Sequence, residues 1–160
     1  MTLDFIEDEL LARITDSLKD KELKNSEGIL AKINCFTGWM PPKTEENEEY
    51  PFVMLRIVEG ADNPDKSKAK FKAYVGACAY AKNTKASIED YKNGHKDLLT
   101  AIQSIRQNLL RNKLIGHGKI DEDELVSYKI YEEQCFPFIH AEITINMIIP
   151  SILEKEDYYG

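Results

Sequence analysis

The stretch PFIHAEITINMIIP, residues 137–150, sorts its side chains by parity. Ile139, Ala141, Ile143, Ile145, Met147 and Ile149 fall on one row, and Phe138, His140, Glu142, Thr144, Asn146 and Ile148 on the other. Alternation of this kind is the mark of a strand with one face in a core and the other toward water. Such a strand needs a cover for its apolar row, and the chain contains one. Ser87 followed by Asp90 forms a capping box, behind which Ile88, Tyr91, His95, Leu98, Ile102, Ile105 and Leu109 recur at steps of three and four. The spacing predicts a helix ending near Asn112, with His95 in its apolar register as a buried, neutral imidazole.

The remaining segments fit around these two. Ile6, Leu10, Ile14 and Leu18 predict an amphipathic helix over residues 3–24. Residues 29–36 read as a strand or extended piece stopped by Gly38 and the pair Pro41, Pro42. Residues 43–50, KTEENEEY, offer nothing to bury and read as an exposed acidic loop. Residues 51–60 and 71–81 are β-rich and flank a polar turn at 61–68, which makes a hairpin. Gly76, with Ala73, Ala77 and Ala79, implies close packing under a helix. Residues 114–124 read as a turn-rich connection, residues 124–133 and 138–150 as two further strands, and the end from about 155 as loose. The expected architecture is a single α+β domain over residues 1–160: a mainly antiparallel sheet of four or five strands with two amphipathic helices packed on one face.

Composition narrows the function. Among 160 residues, 42% are hydrophobic and 31% charged, which is the balance of an ordinary globular chain. A net charge of -7 repels phosphate backbones and anionic lipid, so neither specific nucleic-acid binding nor a membrane partner is expected. The N-terminus is acidic where a signal peptide is basic, which points to the cytosol. Cys35, Cys78 and Cys135 are far apart, with no CxxC or Cys/His pairing, and read as reduced, mostly buried thiols.

Candidate chemistry is thin. His140 and Glu142, two apart on one strand, share a face with Cα atoms about 6.5 to 7 Å apart. A carboxylate-oriented imidazole can act as a general base, but no nucleophile, metal set or glycine-rich elbow accompanies the pair, and a solvated sheet face is the simpler reading. His117, between Gly116 and Gly118, lacks the lysine and the serine or threonine of a phosphate loop. The acidic runs at 45–49, 121–124 and 132–133 lack calcium-loop spacing and read as solvated. Trp39 stands in a probable loop, where large aromatics serve either as interface anchors or as cover for a core. No catalytic residue, cofactor or metal is therefore expected. The residues marked for interaction are Trp39, Glu45, Glu46, Glu48, Glu49, His140, Glu142 and Thr144.

The order helix, hairpin, long helix, terminal strand pair, together with the ending YEEQCFPFIHAEITINMIIPSI at 131–152, resembles bacteriophage and prophage tail-terminator and tail-completion (head-tail joining) proteins. The resemblance implies a structural protein without catalytic residues, assembled as a homo-oligomeric ring, by expectation a hexamer. It also implies tail-tube and neck proteins as partners, assembly in the host cytoplasm and a final place in the virion tail. An acidic loop such as 43–50 would then line or cap the channel and keep DNA from sticking. The alternative is a cytosolic small-ligand-binding or regulatory module using His140, Glu142 and Thr144 as its platform.

Overall fold

A computed structural model describes residues 2–40, 49–124 and 126–150. In chain order these form α1 (Leu3–Leu18), β1 (Glu22–Lys24), β2 (Leu30–Lys32), β3 (Asn34–Thr37), β4 (Phe52–Asp62), β5 (Ser67–Cys78), α2 (Ile88–Arg111), β6 (Leu114–Ile115), β7 (Gly118–Ile120), β8 (Ser127–Ile130) and β9 (Phe138–Ile149). The fold is α+β. Its main sheet runs β3-β4-β5-β9-β7-β6, with β8 also on β9, and β1 and β2 make a separate two-stranded sheet.

The long strands follow the alternation. β5 and β9 pair antiparallel along their whole length, from Ser67 opposite Ile149 to Cys78 opposite Phe138. Ile139, Ala141, Ile143, Ile145 and Met147 are buried, and they share one core with Leu98, Ala101, Ile102, Ile105 and Leu109 of α2 and Ile6, Leu10, Ile14 and Leu18 of α1. Each large aliphatic in that layer contributes about 1.5 to 3 kcal/mol by leaving water. The capping box of α2 is present, with Ser87 Oγ accepting from the Asp90 amide at 3.1 Å and Asp90 accepting from the Ser87 amide at 2.9 Å. The helices are tied by Arg13, which donates to Asn108 Oδ1 at 2.9 Å and to the carbonyls of Asn108, Asn112 and Leu114 at 2.8, 2.9 and 3.1 Å. A guanidinium there satisfies carbonyls that the end of a helix leaves unpaired.

The sheet has seven strands rather than four or five. The additions are β6 and β7, of two and three residues, too short to alternate visibly, and β3, within the expected 29–36 segment, joins β4 in parallel. Residues 114–120 are not a plain connection but a tight hairpin, with Ile115 opposite Gly118 and Gly116 at φ +61. That positive φ suits glycine at the first position of a two-residue loop.

Helix α1 stops at Leu18, not at 24, because the positions that would continue its stripe are Lys21 and Glu22; Leu23 is buried instead from β1. The segment 29–36 divides into two strands of different sheets. The hairpin strands β4 and β5 extend into 61–68 and leave a turn in which Asn63 Oδ1 accepts from the amides of Asp65 and Lys66 at 2.9 and 2.8 Å.

His95 is exposed, contrary to its expected place in the core. The sheet-facing position is Gly94, where a Cβ would come within 2.7 Å of Ala79 Cα, so the close approach of α2 to β5 turns His95 outward. Gly76 also has a different cause from the one expected. A side chain there would collide with the Phe52 ring on the face away from the helices. Cys78 is buried and Cys35 half-buried, but Cys135 is exposed. Of the expected acidic loop, residues 43–48, including Glu45, Glu46 and Glu48, lie outside the described residues, as does the tail at 155–160.

Candidate functional site

The sheet face opposite the helices carries the second row of β9. By register, Phe138 stands beside Cys78, His140 beside Gly76, Glu142 beside Tyr74, Thr144 beside Lys72 and Asn146 beside Lys70. This face divides into an aromatic end and a charged end. At the aromatic end Tyr50, Phe52, Met54 and Cys78 are buried, with Phe36, Met40, Tyr74 and Phe138 packed around them. Tyr50 stacks on Phe138 with ring centroids 4.4 Å apart and meets Phe52 edge-on at 5.1 Å. The glycine at position 76 makes room for the Phe52 ring. A second, smaller core therefore occupies part of what the alternation alone presented as a wet surface.

His140 belongs to that cluster. Its Nε2 lies 2.6 Å from the Tyr50 hydroxyl, and which partner donates depends on the imidazole tautomer. Its backbone is gripped by Gln134, whose Oε1 accepts from the His140 amide at 2.8 Å while its Nε2 donates to the His140 carbonyl at 2.9 Å. Glu142 turns the other way, to Lys72, with 3.0 Å between carboxylate and ammonium. The shared face of His140 and Glu142 is real, but each side chain is engaged by a different neighbour. Their ring and carboxylate do not form the oriented pair that general-base chemistry requires. Burial, with Glu142 and Tyr74 adding to it, raises the pKa of Tyr131.

Toward the charged end, Lys68, Lys70 and Lys72 alternate along β5. They lie 3.1, 3.8 and 3.0 Å from Asp121, Glu59 and Glu142 respectively. Asp121 is buried, not solvated as its acidic run suggests, and the Asp123 amide donates to its Oδ1 at 3.1 Å. Burial opposes its ionisation, but the Asp123 amide and the Lys68 ammonium outweigh it and hold its pKa below the ordinary carboxylate value. Thr144 lies in the half-buried row between Lys72 of β5 and Ser127 of β8.

Trp39 is 75% exposed and is no part of either core. Its ring lies against the Arg56 guanidinium, 3.6 Å from the ring centroid, and Arg56 in turn donates to the Tyr74 hydroxyl at 3.1 Å. Glu49, expected in an exposed loop, is buried, because Tyr50 beside it is drawn into the aromatic cluster; among the described residues its Oε1 has no hydrogen-bond partner.

An open groove of about 720 Å³ runs between the start of α1, the bulged end of β4 and the end of β9. Leu3, Ile57, Val58 and Ile149 line it, with Asp4 and Asp62 at its rim. Neither this groove nor the Arg56 stack was legible beforehand: Arg56 and Tyr74 are distant in sequence, and the groove depends on the β-bulge between Ile57 and Glu59. The lysine row was open to reading, since 68, 70 and 72 share one parity.

No group of three His, Cys, Asp or Glu side chains close enough to hold a metal occurs among the described residues. Nor is any helix among them long and apolar enough to cross a membrane. No family model matches the sequence, and no curated protein matches it significantly.

Proposed function

We propose that this chain is a non-enzymatic structural subunit of a phage or prophage tail or neck, a ring-forming tail terminator or tail-completion protein. The observation that carries the reading is the open sheet face. His140 and Glu142 are committed to separate structural partners, while a large aromatic, Trp39, stands in solvent beside a cation. That is the equipment of a surface that meets another protein, and not of a site that activates a substrate. The order α1, hairpin β4–β5, long helix α2, strand pair β8–β9 supports it further, being the order on which the resemblance to tail-completion proteins rests.

In this reading the subunits form a ring, by expectation hexameric, in the host cytoplasm, and join the tail tube to the neck in the virion. A ring subunit needs two different contact surfaces, one for each neighbour. Acidic side chains toward the channel keep passing DNA from adhering. Glu49, being buried, is not one of them; that role falls to Glu45, Glu46 and Glu48 in the segment before it.

Negative-stain electron microscopy and light scattering of the purified protein, alone and mixed with tail-tube protein, test the reading. Rings, or tubes ending at a fixed length, are the expected result. A strict monomer that neither binds tube protein nor limits tube length contradicts it.

A further inference from the structure

Two surfaces of this chain have complementary needs. The first is Trp39, 75% exposed yet held in place, its ring stacked 3.6 Å from the Arg56 guanidinium, which also donates to the Tyr74 hydroxyl at 3.1 Å. Lys68, Lys70 and Lys72 on the same face each have a carboxylate neighbour, whereas Arg56 has none among the described residues. The second surface is the groove of about 720 Å³ lined by the apolar Leu3, Ile57, Val58 and Ile149 and also by Lys68 and Glu59, which pair with Asp121 and Lys70. Its rim carries Asp4 and Asp62, which no lysine or arginine among the described residues neutralises.

An exposed indole beside an unneutralised guanidinium fits an apolar groove edged with unneutralised carboxylates. The groove is of the size that takes a bulky group, since pockets run from about 300 to 1,000 Å³. Tryptophan and arginine are the residue types that dominate interface energetics, the first by buried area and the second by bidentate pairing with carboxylates. Both surfaces belong to one chain and neither is the other's mirror. Made head to tail, such a contact is heterologous, the kind that continues from copy to copy and closes into a ring where the rotation permits.

We propose that the Trp39–Arg56 pair of one copy seats in the groove between α1 and the end of β4 on the next copy. The indole lies on Val58 and Ile57, and the guanidinium meets Asp62 and Asp4. This inference rests on the reading of the chain as a ring-forming subunit and identifies the contact that builds the ring. It makes assembly weaken as salt rises, because its charged half is exposed before contact.

The test uses two classes of variant of the full chain, followed by light scattering after gel filtration. Trp39→Ala or Arg56→Glu removes the knob, and Val58→Lys/Asp62→Lys, or Asp62→Lys alone, spoils the groove. Trp39, Val58 and Asp62 are exposed and Arg56 is half-buried, and circular-dichroism melts check that the folds persist. The expected result is self-association at least tenfold weaker for either class alone, with Trp39→Phe keeping most of the wild-type affinity. Equimolar mixing of Trp39→Ala with Val58→Lys/Asp62→Lys then gives a dimer and nothing larger, because one intact knob and one intact groove remain. Wild type that assembles together with variants that assemble equally well overturns this contact and leaves the ring reading standing. Wild type that stays monomeric at every concentration, with and without tail-tube protein, overturns both.

Discussion

At the scale of single residues, one row of β9 holds the main core, while the other joins a small aromatic core at Phe138 and His140 and is half-buried beyond them. Ile143 and Ile145 are fully buried, so Ile143→Ala or Ile145→Ala is expected to cost about 2 to 5 kcal/mol in chemical denaturation, from lost transfer energy and the cavity left behind. His140→Ala is milder: it removes the contact to the Tyr50 hydroxyl and is expected to cost about 0.5 to 1.5 kcal/mol, which a urea titration at pH 7 resolves. Asp121 gives a pH dependence of defined sign. Its folded-state pKa lies below the unfolded value of about 3.9, so its ionised form stabilises the fold above that pH, and the contribution disappears as pH falls through the folded value. The difference in melting temperature between wild type and Asp121→Asn should therefore be fully present at pH 7 and shrink steadily below about pH 4. A difference that grows on acidification would contradict the pairing with Lys68.

At the scale of elements, what could be read in the chain depended on length and on whether contacts were local. β9 and α2 were legible because twelve and twenty-four residues repeat their pattern often enough to be unmistakable, and the Ser87–Asp90 box marks the helix start. Ser87→Ala is accordingly expected to lower stability by about 1 kcal/mol. β3 and β8 lie within 29–36 and 124–133, which read as strands, and differ only in their bounds, whereas β6 and β7 were hidden because strands of two and three residues exist only through their partners. The Arg13 link was hidden for the same reason, since its acceptors at Asn108, Asn112 and Leu114 lie about a hundred residues away. His95 was misplaced because the register of an apolar stripe does not reveal where a glycine lets the helix touch the sheet. The site was legible in part. Trp39 stood out as an aromatic beside Gly38 and the Pro41–Pro42 pair, but its partner Arg56 and the groove required the tertiary structure. The even row of β9 pointed to a surface, while the aromatic cluster beneath Tyr50 depended on chain segments that meet only after folding.

At the scale of the whole molecule, the helices cover one face of the sheet and leave the other to a small aromatic core, a row of lysine–carboxylate pairs and an exposed Trp39–Arg56 stack. The net charge of -7 disfavours nonspecific contact with DNA, and Lys68, Lys70 and Lys72 each sit beside a carboxylate, whereas Arg56 has no carboxylate partner among the described residues. Under the proposed function the chain is a building block and not a catalyst. Electron microscopy of tail-tube protein polymerised with and without this chain tests it most directly. Ring-shaped particles and tubes capped at one end with a narrow length distribution are the expected result. Tubes of unchanged length and binding, with the chain remaining a monomer beside them, would contradict it.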